Sequence, residues 1–263
     1  MHLPLISHEI PHSLAEAEAK GEYRINDYLF ILLHRYIEDS RYRDIVDSYS
    51  GYKILDNSCF ELGAALSNEL IHDYVHRINP DVFVLPDTLG DKDQTISRSL
   101  EFVTSYPELA PKAMAVIQGD SYKEFGECYD VFDDELHDIA MIGIPFCFNW
   151  AFRRNLAPVD HAIERVNLLQ YLVQHNHIRT TTKHHLLGTW WAKEFSYYRD
   201  YEWIYSVDTS NPIAAGIENM RYPIIHKPKP KFDEFVNLDL KDFNIEAIIY
   251  NVESFKEITK RDG

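Results

Sequence analysis

Val82-Phe83-Val84-Leu85-Pro86-Asp87 is an unbroken apolar run ending on a carboxylate. It has the length of a strand and no polar alternation, the pattern of a strand covered on both faces. The same grammar recurs upstream in Ile54-Leu55-Asp56. Downstream it recurs in Met114-Ala115-Val116-Ile117-Gln118-Gly119, Ile139-Ala140-Met141-Ile142-Gly143, His185-Leu186-Leu187-Gly188 and Ile204-Tyr205-Ser206-Val207-Asp208. A polar, helix-like stretch follows each run. Apolar run, polar tip and helix in repetition describe a parallel β/α protein. The C-terminal ends of its strands face the active site. The tips Asp56, Asp87, Gln118, Gly143, Gly188 and Asp208 are therefore expected to converge on one pocket.

Two further strands are read at Leu3 to Ile6, with His8 and Glu9 at the tip, and at Tyr28 to Leu33, tipped by His34. Helices are expected over residues 13–20, 35–48, 67–78, 92–105, 121–136, 158–175 and 190–201. Asp91 and Ser121 suit N-caps, and Pro158 suits a first helical turn. Tyr122, Phe125, Tyr129, Phe132 and Leu136 fall on one helical stripe, read as core packing. Eight strands with intervening helices predict a single α/β domain over residues 1–263, a (β/α)8 TIM-type barrel with a less regular C-terminal extension from about 217. Within that extension Ile245 to Val252 reads as a strand or a short buried helix, and Glu253 to Lys260 as a closing helix. The 263 residues match the roughly 250 typical of such barrels. A doubly wound open sheet is the main alternative, but the glycine-rich turn expected after its first strand is not seen.

Composition narrows the setting. No apolar run approaches the roughly 20 residues that cross a bilayer. Met1-His2-Leu3-Pro4 lacks the basic start of a secretory signal. Three scattered cysteines, Cys59, Cys128 and Cys147, point to a reducing compartment and a cytoplasmic location. A net charge of −16 repels phosphate backbones at long range. Arg153-Arg154, the Arg179 to Lys183 stretch and Lys227-Pro228-Lys229-Pro230-Lys231 are local basic groups, read first as solvated surface. Among thirteen histidines, His184-His185 and His175-Asn176-His177 lack a third ligand at diagnostic spacing. His184-His185 are read as loop or strand-entry residues, and no metal is expected. His8 and His34 are the histidines that strand tips would bring to a pocket. Trp190-Trp191 either stack on a base or sugar or pack a helix start.

Three carboxylates on strand tips suit glycosyl transfer, which needs one group to attack or stabilise C1′ and another to move protons. Asp56 and Asp208 fit those two roles. Asp87, Gln118 and backbone N–H groups around Gly143 would then read a guanine-like edge. Taken singly, Asp87 and Asp208 equally suit Asx-turns; the functional reading rests on their shared position at strand ends.

In this order the tips resemble those of the tRNA-guanine (queuine) transglycosylases, over roughly Tyr28 to Gly216. Asp56-Asn57-Ser58-Cys59-Phe60 resembles that family's Asp-Ser-Gly-Gly-Phe, which implies that Asp56 is the acid/base and that Phe60 borders the base. Val82 to Asp87 resembles the strand carrying the guanine-reading aspartate, and Val116-Ile117-Gln118-Gly119 the Val-Gln-Gly whose glutamine contacts the base. Ile142-Gly143-Ile144 is similar to a Gly-Gly-Leu turn that closes around the base, and Leu186-Leu187-Gly188 to Leu-Met-Gly. Tyr205-Ser206-Val207-Asp208 resembles the strand bearing the aspartate nucleophile.

The departures matter equally. The family's Cys-x-Cys-x-x-Cys…His zinc site and its insertion are missing, and Thr209-Ser210-Asn211-Pro212 replaces Pro-Thr-Arg. Ser58-Cys59 replaces the double glycine, so a different backbone approach to ligand is expected there. These changes shift the expectation from tRNA to DNA. They resemble the compact, often phage-encoded relatives that exchange guanine for a 7-deazaguanine base, working in a host cytoplasm. The implied enzyme needs no cofactor and takes nucleic acid and a guanine or 7-deazaguanine base as partners, with no membrane; a homodimer is compatible with it. Two rivals stand beside it: an N-glycosidase or base-exchange enzyme acting on free nucleosides or nucleotides, which the acidic charge favours, and a non-catalytic barrel that binds a base or nucleotide.

Overall fold

The structure is a computed structural model and describes residues 4–189, 191–222 and 235–260, without the side chains of residues 150, 152 and 158. Trp190 and Lys227 to Lys231 lie outside the described residues. Eight parallel strands form the sheet: β1 (Leu5–His8), β2 (Leu29–Leu32), β3 (Lys53–Asp56), β4 (Val82–Val84), β5 (Ala113–Val116), β6 (Met141–Ile144), β7 (His184–Leu186) and β8 (Ile204–Thr209). Their order, β1-β8-β7-β6-β5-β4-β3-β2, with interleaved helices, makes a single (β/α)8 TIM-type barrel.

Period-two alternation divides each strand between two cores. Phe30, Ile54, Val82, Val84, Met114, Val116 and Met141 fill the barrel. Ile31, Leu55, Phe83, Ala115, Ile142, Leu186 and Val207 face outward against the helices. The stripe of Phe125, Tyr129, Phe132 and Leu136 is buried in that outer core.

The last seam is closed by side chains as well as backbone. Asp27 N donates to Ile6 O at 2.9 Å, and Ile6 N donates to Asp27 Oδ2 at 3.0 Å. Phe30 N donates to Ser7 Oγ at 3.0 Å, joining β2 to β1. Lys256 Nζ reaches Asp27 Oδ1 at 3.3 Å from the C-terminal helix.

Several boundaries differ from those read in the sequence. β1 runs Leu5–His8, with Leu3 outside the described residues, so His8 is its last residue; its ring meets Phe255 edge-on at 6.1 Å, on the outer side. The helix expected over 35–48 is two, Leu33–Glu38 and Ser40–Ser48, because Asp39 caps the second by accepting from Arg41 N and Tyr42 N. Between residues 190 and 201 the described helix is a 3-10 segment, Ala192–Tyr197. Ile245 to Val252 is not a strand: one helix runs Ile245–Ile258. It packs on helix Asn211–Ile217, where a Cβ on Gly216 would lie 2.7 Å from the Ile248 Cα. Asp91 and Ser121 do cap their helices, accepting from Gln94 N and Glu124 N.

Candidate active site at the strand tips

Asp56 ends β3 and Asp208 lies near the end of β8, both buried. Asp87 follows β4 by three residues and is also buried. The three belong to one electrostatic site. Burial pushes the Asp56 carboxyl well above the usual carboxylate range, and the charges of Glu61, Asp87 and Asp208 push it the same way; the Ser58 N–H opposes them.

Asp208 is held from two directions. Gly188 N donates to its Oδ1 at 2.9 Å, and His185 Nε2 lies 3.1 Å from the same oxygen. His185 Nδ1 lies 2.8 Å from Ser206 Oγ. A Ser206 hydroxyl donating to Nδ1 leaves the Nε2–H to donate to the carboxylate. The imidazole stacks on Phe30, ring centroids 5.4 Å apart and 10° from parallel. Among the described residues, the hydrogen bonds to Asp208 all fall on Oδ1.

His184 and His185 are the strand-entry residues of β7, not loop, and both are wholly buried. The setting of His185 depends on an irregularity the sequence does not announce. His184 pairs with Ile204 but His185 with Ser206, so Tyr205 is an extra residue in β8. The bulge keeps Ile204 and Val207 in the outer core while turning Ser206 and Asp208 toward His185.

The β7 tip is braced from behind. Arg165, fully buried on helix Pro158–Gln174, donates to Leu187 O at 2.8 Å and to Gly188 O at 2.9 Å. Its charge is met by buried Glu194, through Nε to Oε2 at 3.0 Å and Nη2 to Oε1. Gly188 has φ +61°, and a Cβ there would lie 2.5 Å from the Phe146 ring. Neither Arg165 nor Glu194 carries a recognisable motif; sequence reasoning passed over both.

Asp87 and Gln118 are joined. Gln118 Nε2 donates to Asp87 Oδ2 at 2.7 Å, and Asn57 Nδ2 donates to Oδ1 at 2.9 Å. Gln118 Oε1 accepts from Gly90 N at 3.0 Å. Burial raises the Asp87 carboxyl, and these donors work against it. One donor on each oxygen leaves the carboxylate able to accept more.

Ser58 sits at φ +60°, ψ +24°, the left-handed region that favours glycine. Among the described residues, the other non-glycine residues with positive φ are all asparagines. So Ser58 has a glycine-like backbone. Its N–H reaches Asp56 Oδ2 at 2.7 Å, while its Oγ accepts from His34 N at 3.1 Å and lies 2.9 Å from His34 Nδ1. Of the two tip histidines, His34 is the one linked to this site. Burial lowers its pKa, which favours the neutral ring.

The remaining residues are placed variously. Phe60 is exposed and meets Phe146 edge-on at 5.1 Å, making an aromatic rim. Leu187 packs against the barrel interior. A Cβ on Gly143 would lie 2.9 Å from Val116 Cγ2 and 3.0 Å from Leu187 Cδ1, and its carbonyl accepts from Ile117 N. Gly143 thus belongs to the floor of the site. Ile144 faces away from the site: its side chain lies in the outer core.

No helix among the described residues is long and apolar enough to cross a membrane. Compared with known proteins, the chain matches no family model and no curated sequence.

Proposed function

We propose that this barrel is a transglycosylase that exchanges guanine for a 7-deazaguanine-type base in nucleic acid, with DNA favoured over tRNA. The observation that carries the reading is the sorting of three carboxylates at the strand tips. Asp208 is anchored through Oδ1 alone among the described residues, Asp87 is joined to Gln118, and Asp56 is pushed toward its protonated form.

The chemistry is a double displacement. Asp208 Oδ2 attacks C1′ as the bond from C1′ to the base nitrogen breaks, and the departing guanine takes the proton of Asp56. The incoming base returns a ring N–H proton to Asp56 as its nitrogen attacks C1′, and Asp208 leaves as carboxylate. His185 and Gly188 hold Oδ1 in place through both steps. Asp87 and Gln118 accept and donate along the base edge, and Phe60 with Phe146 offers ring faces to stack on it. A base in a duplex must first be flipped out, at a few kcal/mol. The enzyme works in the cytoplasm in this reading.

A second substrate class is favoured by one observation. The net charge of −16 and a carboxylate-lined mouth suit a free nucleotide better than a long polyanion. One experiment separates the classes. The protein is incubated with DNA, tRNA and mononucleotides in parallel, each with isotopically labelled guanine, and bases are analysed by mass spectrometry. Exchange on DNA, absent in Asp208→Asn, is expected; exchange on mononucleotides alone moves the reading to the second class. Full exchange in a folded Asp208→Asn variant removes Asp208 as nucleophile.

A further inference from the structure

We propose a binding site for a divalent transition-metal ion of the zinc type on the outside of the barrel, formed by His72, His76 and Glu108. His72 and His76 are one turn apart on helix Asn68–Ile78, so they share a face. Glu108 comes from the separate 3-10 segment Pro107–Lys112. One ligand atom from each lies within 4.8 Å of the others. Metal–nitrogen and metal–oxygen bonds of about 2.0–2.2 Å are reached by small side-chain rotations from that spacing.

Two features beyond proximity point to a ligand. His72 Nδ1 lies 3.1 Å from Asp73 Oδ1. A carboxylate that takes the Nδ1–H fixes the tautomer and leaves the Nε2 lone pair for a cation, the outer arrangement that metal-binding histidines use. The His72 ring is also held, stacked on Tyr106 at 4.2 Å, and meets the His76 ring at 4.6 Å, 72° from parallel. Tyr106 leads directly into the segment carrying Glu108, so the stack couples the two ligand-bearing elements.

Two imidazoles and one carboxylate select a zinc-type ion over magnesium or calcium, which prefer all-oxygen sites. A water completes four-coordination. Both ligand segments run into the N-terminal ends of β4 and β5, opposite the strand tips. The ion therefore ties two outer helical segments together and takes no part in chemistry at the mouth.

The test uses the full chain stripped with chelator, then titrated with Zn2+ or Co2+ while melting temperature, metal stoichiometry and the Co2+ absorption spectrum are read. One ion per chain, a rise in melting temperature and a four-coordinate Co2+ spectrum are expected, with no response to Mg2+. His76→Ala, at an exposed position where folding is retained, and Glu108→Gln each remove a ligand and should weaken binding by at least the roughly 10- to 100-fold that loss of an outer partner costs. No bound ion at millimolar Zn2+, or unchanged binding and melting response in both variants, overturns the proposal. None of these readouts depends on base exchange.

Discussion

Replacing Arg165 by Met should be among the most damaging single substitutions in this barrel, though Arg165 touches no reacting atom. Methionine keeps the unbranched stem and removes the guanidinium. That leaves Glu194, wholly buried, without its cation, and strips donors from Leu187 O and Gly188 O. Breaking a buried ion pair from one side costs about 3–5 kcal/mol. Gly188 O keeps the Thr189 hydroxyl, which donates to it at 2.8 Å, but Leu187 O left without its donor adds roughly 1 kcal/mol or more. Against a total stability of about 5–15 kcal/mol, the loss is roughly a quarter or more. Among the described residues, the Tyr198 hydroxyl, 3.2 Å from Glu194 Oε2, remains to soften it. Glu194→Leu should also destabilise, by orphaning the arginine. The double variant Arg165→Met/Glu194→Leu should recover about 2 kcal/mol or more relative to the sum of the two, because two apolar groups replace the pair. Urea unfolding of the four proteins closes the cycle. If Arg165→Met costs under about 1 kcal/mol, or the single effects simply add, then Arg165 does not brace the β7 tip.

The remaining tests address the site and its pH response. His185→Leu should lower kcat of base exchange roughly 10- to 150-fold with little change in KM, the worth of one hydrogen bond to a charged acceptor. His185→Gln, which keeps an amide donor, should restore much of it, and equal loss in both variants would argue against a positioning role. Gly188→Ala places a side chain at φ +61° and against Phe146, so the melting temperature should fall by several degrees, for a cost of about 1–2 kcal/mol or more; an unchanged value would contradict the packing described. His184, buried against Tyr129 and Trp203, has its pKa lowered from 6.5 to about 4 by burial. Its folded value lies below its unfolded value, so its contribution is complete above pH 6.5 and is lost as pH falls toward 4, by roughly 3 kcal/mol. Asp56 and Asp87, raised by burial, act in the opposite direction, so the comparison must be with His184→Gln, whose urea midpoint should fall less steeply between those pH values. Parallel slopes for the two proteins would refute the assignment.

The strands that sequence exposed most clearly were those with both faces apolar, such as Val82 to Val84, since burial on two sides leaves no polar alternation to confuse the period. What escaped had its cause in pairing or tertiary contact. The extra residue at Tyr205 decides which side of β8 reaches His185, and a bulge is a property of two strands together. Arg165 reads as an ordinary polar position on an amphipathic helix until Glu194 and two carbonyls are found around it. Asp39 had the right chemistry to end one helix and cap the next, but an aspartate inside a helical pattern equally suits an exposed position. Ser58 is the instructive departure. Serine and cysteine at 58 and 59 suggest an ordinary backbone, yet Ser58 takes a left-handed turn, with the His34 contacts to support it. A serine here adopts the conformation usually left to glycine and aims its N–H at Asp56.

Three carboxylates meet at one mouth, and the donors around them differ. Asp208 Oδ1 takes an N–H from Gly188 and contacts His185, while Asp87 takes side-chain amides from Asn57 and Gln118. Asp56 accepts one backbone N–H, from Ser58, and feels Glu61, Asp87 and Asp208. Burial and neighbouring like charges push a carboxyl toward its protonated form where few donors oppose them. Asp56 is pushed that way, with the Ser58 N–H opposing. The proposed division of roles rests on these surroundings: Asp208 has one oxygen held, Asp87 is tied into an amide pair, and Asp56 is the carboxyl pushed toward its protonated form. Two carboxyl groups with such different surroundings are what a reaction needs when one must attack and the other must first donate and later accept.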